Sequence, residues 1–223
     1  MRPSNLFVAI PHTNRDLEGL GATLRALDLC LENIDVARIN VCVVNSSDDN
    51  RLNDFISTLK KSFGKPVSVC NLTDLVFLTR DYECIALIIG GDLPSKNMLE
   101  LCFDRFTSSV NKRALIVRPI VEYHFYESDF KYYSDIGRPH WSSKSHFKVF
   151  SNSSQDLVET RISEIFSIWG GALLTSREVF LECALSIDAT SRGSHPKSNW
   201  IRVFSSSSYT HEHADDAFIA TRH

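Results

Sequence analysis

Three short polar clusters in this sequence hold residue types that bind and react. Pro11-His12-Thr13-Asn14-Arg15, Asn45-Ser46-Ser47-Asp48-Asp49 and Gly90-Gly91-Asp92 each follow directly on an apolar run. Polar side chains at such points can hydrogen-bond a ribose or a base, and glycines let the backbone come close to a phosphate. Near the end, Asp215 and Asp216 form a pair of adjacent carboxylates in a dense cluster of ionisable groups. His211-Glu212-His213 sets two imidazoles on one side of a strand, a spacing that would suit zinc together with Asp215 or Asp216. No other ligand motif supports zinc, so the histidines read rather as a solvated tail cluster or as neighbours of the carboxylates, and the acidic pair also suits the first turn of a helix. Trp169-Gly170-Gly171 combines a flat ring with two glycines and could border a sugar. Trp141 and Trp200 carry the same ring chemistry, and packing in the core is an equal reading for all three.

These clusters need elements to position them. Leu6 to Ile10 is an apolar run ending at Pro11, which predicts a buried strand. Leu17, Leu20, Leu24, Leu27 and Leu31 recur at helical spacing. Ile39 to Val44 predicts a second strand, and Leu52, Phe55, Ile56, Leu59 and Phe63 a second helix. Val67 to Cys70 follows as a strand, Leu72 to Tyr82 as a helix or long loop, and Ile85 to Ile89 as a strand that stops at Gly90. Pro94 and Ser95 are expected to open a helix that buries Met98, Leu99, Cys102 and Phe106. Ala114 to Val117 is one more strand. This alternation predicts an α/β fold, with helices on both faces of a central, mostly parallel mixed sheet. In such sheets ligands bind beyond the carboxyl ends of the strands, where the three clusters lie.

The second half is less regular. From about Val121 to Ser154 the chain is rich in Tyr, Phe, His and Ser, without clear period. It reads as irregular strands and loops, an acceptor-side or lid region. Ile165 to Trp169 restores regularity. The apolar run Ala172-Leu173-Leu174 then leads into a helix from Thr175 or Ser176, with Thr175 and Glu178 at capping-box spacing. After Ile187 the chain again reads as irregular, with loop-like stretches at Ser191 to Pro196 and Ser205 to Ser208.

Composition narrows the classes. The chain has 223 residues, 43% hydrophobic and 23% charged, which suits one globular domain with a real core. A net charge of -3 offers no strong field for nucleic acid or an anionic membrane. No apolar run approaches the roughly 18 residues of a membrane span. Only five apolar residues follow Met1-Arg2-Pro3-Ser4-Asn5, which is no signal peptide, so a cytoplasmic location is expected. Cys30, Cys42, Cys70, Cys84, Cys102 and Cys183 form no C-x-x-C pair and are expected as reduced core thiols. The lack of G-x-S-x-G, G-x-G-x-x-G and P-loop motifs argues against a serine hydrolase, a dinucleotide oxidoreductase and a P-loop NTPase.

The order of the segments carries a resemblance. Val8-Ala9-Ile10-Pro11-His12-Thr13-Asn14-Arg15 resembles the opening strand of family 2 glycosyltransferases, and Val43-Val44-Asn45-Ser46-Ser47-Asp48-Asp49 resembles their second strand. Ile88-Ile89-Gly90-Gly91-Asp92-Leu93-Pro94 sits where their D-x-D metal motif lies. Ile168-Trp169-Gly170-Gly171-Ala172-Leu173-Leu174, then Arg177-Glu178-Val179-Phe180, resembles their acceptor-side segment. Asp215-Asp216-Ala217-Phe218 with Arg222 resembles the terminal E-D motif.

The resemblance implies a GT-A, Rossmann-like α/β/α sandwich. It implies one domain over 1–223, with a nucleotide-sugar half at 1–120 and an acceptor and catalytic half at 121–223. The implied reaction passes a sugar from a nucleoside diphosphate sugar to a glycan or other hydroxyl acceptor, with inversion and with Mn²⁺ or Mg²⁺. Pro11, His12, Asn14, Arg15, Asn45, Asp48, Gly91 and Asp92 fall on the donor side, with Asp92 also the metal ligand. Trp169, Gly170 and Gly171 border the acceptor. Asp216 matches the base, with Asp215 beside it. Two departures stand out. Gly90 replaces the first Asp of D-x-D, and the usual Gly- and Arg/Asn-containing stretch is not visible between Cys70 and Cys84. The alternative is a non-catalytic α/β module that binds a nucleotide or a protein partner.

Overall fold

Runs of apolar residues without alternation form strands buried on both faces, and that is how the first half folds. The structure is a computed structural model that describes residues 5–13, 16–32, 34–46, 49–59, 63–125, 172–190, 196–205 and 207–222. Strand β1 (Asn5–His12) leads to helix α1 (Leu17–Leu31), then β2 (Arg38–Asn45), α2 (Leu52–Leu59) and β3 (Val67–Cys70). A 3₁₀ turn (Leu72–Asp74) and the short α3 (Leu75–Leu78) lead to β4 (Cys84–Ile88), β5 (Leu93–Pro94) and α4 (Met98–Ser108). The long β6 (Leu115–Phe125) is followed by β7 (Ala172–Ser176), α5 (Arg177–Thr190), α6 (Pro196–Ser205) and β8 (Thr210–Arg222).

The strands form one sheet in the order β3-β2-β1-β4-β7-β6-β8-β5. The first four are mutually parallel, and β6 and β8 are parallel to each other. Strand β7 runs antiparallel to both β4 and β6, and β5 antiparallel to β8. Alternate β1 residues face opposite cores. Leu6, Val8 and Ile10 pack with the leucines of α1 and with Met98 to Phe106 of α4. Phe7 and Ala9 face the other side, toward Val179 and Phe180 of α5 and Trp200 and Phe204 of α6. Each such Val, Leu, Ile, Phe or Met side chain stabilises the fold by roughly 1.5–3 kcal/mol on burial. Asp16 caps α1 by accepting the Gly19 N–H at 3.0 Å, which fixes where the helix leaves β1.

Several expectations are corrected. Pro94 and Ser95 do not open a helix; Pro94 pairs with Ile219 of β8, as Leu93 does with Ala220, and α4 starts at Met98. Thr175 is not the helix cap. Its hydroxyl donates to the Leu115 carbonyl at 2.6 Å within the sheet, and Ser176 Oγ instead accepts the Val179 N–H at 3.4 Å. The stretch after Ile187 contains α6, opened by Pro196, where a missing N–H costs nothing. Trp200 in that helix is 1% exposed and stacks on Phe204 at 6.4 Å, so it is a core residue and not a sugar platform. Asp215 and Asp216 open no helix, because β8 runs through them. All six cysteines are buried and free. Among the described residues no helix is long and apolar enough to cross a membrane.

Candidate functional site

The carboxyl ends of β2, β1 and β4 lie side by side, and their polar residues interlock. The Gly90 N–H donates to the Pro11 carbonyl at 2.9 Å, and the Ser46 N–H donates to the His12 carbonyl at 3.2 Å. Helix α1 closes the third side. Thr23 Oγ1 accepts the Gly91 N–H and donates to the Asp92 carbonyl, both at 2.8 Å. Gly91 sits at φ 103°, where a side chain would be strained. Gly90 is fixed by space. A Cβ there would stand 3.1 Å from the Pro11 carbonyl oxygen and 3.5 Å from Leu20 Cδ1.

Behind this ring His12 is fully buried, and its Nε2 lies 3.5 Å from Asp49 Oδ2. Burial lowers the His12 pKa, against the raising pull of Asp49, so the imidazole is neutral near pH 7. Asp49 is held as an anion, well below the usual carboxylate range, chiefly by Arg51. The Arg51 fork is bidentate: Nε donates to Oδ1 at 3.0 Å and Nη2 to Oδ2 at 2.8 Å. Asn45 supports the same turn, its Oδ1 accepting the Asp49 N–H at 3.1 Å. The guanidinium side chain remains 60% exposed while its carboxylate is buried. The result is a fixed cation at the mouth of three strand ends.

The structure thus brings together Pro11, His12, Asn45, Gly91 and Asp92 of the expected donor-side residues. Asn14, Arg15, Asp48, Trp169, Gly170 and Gly171, together with Trp141, lie outside the described residues. Asp215 and Asp216 occupy a bulge in β8. Pro119 pairs with Ala214 and Val121 with Phe218, so Ile120 alone faces three residues of β8. Bulges of this kind re-aim side chains and occur beside active sites. Strand β5 ties this strand to the Gly90–Asp92 turn, since Leu93 pairs with Ala220. Asp216 is four positions from Ala220, about 13 Å along the strand.

Three residues escape the sequence reading, Thr23, Arg51 and Arg118, and Asp49 stands in it only as a member of its polar cluster, with Asp48 the expected contact. Thr23 is the polar break in a leucine-rich helix face. Asp49 and Arg51 carry a short acid-x-base signal. Arg118 is a charge inside an apolar strand, and it is only 8% exposed. Burial first, and then the Arg118 charge, lower the His211 pKa. A guanidinium beside His211 opposes a second cation there, which speaks against the zinc reading.

The residues present do not fit the two-carboxylate metal motif that the resemblance implies. Asp92 is fully buried, and the neighbouring motif position is a glycine whose side-chain space is taken by Pro11 and Leu20. Among the described residues no group of three or more His, Cys, Asp or Glu side chains converges on a metal-sized point.

Known proteins add one finding. No family profile and no curated sequence matches the chain. Among solved structures, residues 1–349 of TarS from S. aureus are similar, with a TM-score of 0.54 at 11% identity. The match covers 98% of this chain and 60% of that one, so the chain spans well under two thirds of its neighbour's length. The fold is GT-A-like. This is the glycosyltransferase-type architecture implied by the order of the segments.

Proposed function

We propose that the chain transfers a sugar from a nucleoside diphosphate sugar to a hydroxyl acceptor, with inversion. The observation that supports this most is the meeting of three parallel strand ends around a tethered cation, Arg51, on a GT-A-like fold. The diphosphate lies across the ends of β1, β2 and β4. Asn45 and the chain after β1 (Asn14, Arg15) and β2 (Asp48) contact the nucleotide. His12 and Asp49 do not reach the ligand; they hold Arg51 in place. The guanidinium offsets negative charge as it collects on the departing diphosphate. Trp169, Gly170 and Gly171 border the acceptor.

In the reaction the acceptor oxygen bonds to the anomeric carbon as the carbon–oxygen bond to the diphosphate breaks. The acceptor proton passes to the Asp216 carboxylate, with Asp215 beside it. The test is release of nucleoside diphosphate and transfer of sugar across a panel of donors. Asp216→Asn is expected to cut transfer by roughly 10²–10⁴-fold while donor binding persists. Unchanged turnover would remove Asp216 from that role.

The crowding at Gly90 supports a second reading, a module that binds the nucleotide without turnover. Tight nucleotide binding with no release from any donor would favour it.

A further inference from the structure

The opposite end of the sheet carries a different kind of site. Where β4 begins, β7 ends and β6 begins, the described residues surround a cleft of about 590 Å³, a size that suits a small organic ligand. Strand β4 separates it from the Gly90–Asp92 turn by on the order of 15 Å, at about 3.3 Å per residue. Four cations line it: Arg80, Lys112, Arg113 and Arg177. Among the described residues none of the four forms an ion pair with a carboxylate.

Two buried donors at this cleft also go unanswered. Tyr82 lines it, is 3% exposed, and has no hydrogen-bond partner for its phenolic oxygen among the described residues. Its ring is otherwise well held, edge-on to Phe7 and under the Arg38 guanidinium. Arg177 donates through Nη2 to the Val76 carbonyl at 3.1 Å, but its buried Nε has no acceptor. A buried polar group left unpaired costs about 1–3 kcal/mol, so two at one cleft point to an absent acceptor. The first turn of α5, Ser176 to Glu178, borders the same space and adds the positive end of a helix. The lining also holds Asp81, Glu83 and Glu178, which repel a bare anion but accept from hydroxyls.

We propose that this cleft is a second ligand site, separate from the strand-end site, for a small polyhydroxylated phosphate monoester. The phosphate oxygens take the charges of Lys112 and Arg113 and, as the cleft wall opens to admit them, the buried Tyr82 hydroxyl and Arg177 Nε. The ligand's hydroxyls donate to the carboxylates across the cleft.

Calorimetric titration of the whole chain with glucose 6-phosphate, inorganic phosphate and glucose tests this. Saturable binding of glucose 6-phosphate is expected, weakened on the order of tenfold by Tyr82→Phe and at least as much by Arg113→Glu. Tyr82→Phe keeps the ring packing, so its ligand-free melting temperature is expected to stay level or rise. That separates loss of binding from loss of fold. Inorganic phosphate binding as tightly, with the same losses in the variants, would support the site and show that the phosphate alone is read. Glucose binding as well as its phosphate would overturn the proposal. So would the absence of binding, indifference to both substitutions, or competition by excess nucleoside diphosphate.

Discussion

The two ends of strand β4 are built on opposite plans. At its carboxyl end the backbone groups of three strands pair with one another and with Thr23 of α1: Gly90 on Pro11, Ser46 on His12, Thr23 on Gly91 and Asp92; among the described residues the buried His12 ring has only its 3.5 Å approach to Asp49. His12 and Asp92 are fully buried there, and among the described residues the Arg51 guanidinium stands exposed on its buried carboxylate partner. At its amino end four cations stand around an open cleft with no ion pair among the described residues, and the buried Tyr82 hydroxyl has no hydrogen-bond partner among them. The first end is preorganised by the fold, so its substitution should cost stability before it costs binding. The second is held open, so its substitution should cost binding and little stability.

The sharpest way to break this contrast is at Gly90. Gly90→Asp restores the sequence of the metal motif, but its Cβ would crowd the Pro11 carbonyl at 3.1 Å. Overpacking costs typically 1–3 kcal/mol, and a buried carboxylate adds more. The variant is therefore expected to lose stability in urea unfolding without gaining any response to Mn²⁺. Full stability with a metal-enhanced donor affinity would show that this end is more open than its packing indicates.

Thr23→Val comes next. It removes the hydroxyl that bridges Gly91 and Asp92 and strands a buried N–H, for an expected loss of about 1–3 kcal/mol by the same measurement. A neutral result would mean the turn does not depend on α1.

A smaller, graded effect is expected from pH. His12 and His211 both have pKa values lowered from 6.5 by burial. Below about pH 6.5 the unfolded imidazoles take protons that the folded ones refuse. Stability is therefore complete above that pH and falls as pH drops below it, by up to ~1.4 kcal/mol per pH unit for each histidine. The Asp49 contribution is lost only at lower pH, because Arg51 holds that carboxyl well below its ordinary range. Unfolding free energies at pH 7.5, 6 and 5 check the sign, and a flat profile would contradict it.

The smallest effect is expected from Arg105→Ala. Its 2.7 Å pair with Glu212 is half-exposed, and such pairs contribute about 0–1 kcal/mol.

Much of the parallel half was legible because two-sided burial leaves unbroken apolar runs. Leu6 to Ile10 and Val41 to Val44 need no partner information to be read as strands. The mixed half was not legible in the same way. Strand β8 carries His211, Glu212, His213, Asp215 and Asp216, and its ionisable residues hide a 13-residue strand that pairing with β6 stabilises. Pro94-Ser95 looked like a helix start because the partner that puts Pro94 in a strand lies more than a hundred residues away. At the site the strand ends were visible as polar clusters. The tether was not, because Arg51 acquires its meaning only when Asp49 is seen buried against His12.

The account's central claim is that the ends of β1, β2 and β4 bind a nucleoside diphosphate through Arg51. Isothermal titration of nucleoside diphosphates into the chain, with Mg²⁺ and with EDTA, tests it most directly. The account predicts selective binding of one nucleotide, little changed by EDTA, weakened about tenfold in Arg51→Ala and unaffected by Tyr82→Phe. Failure of every nucleotide to bind, or binding indifferent to Arg51→Ala, would contradict it.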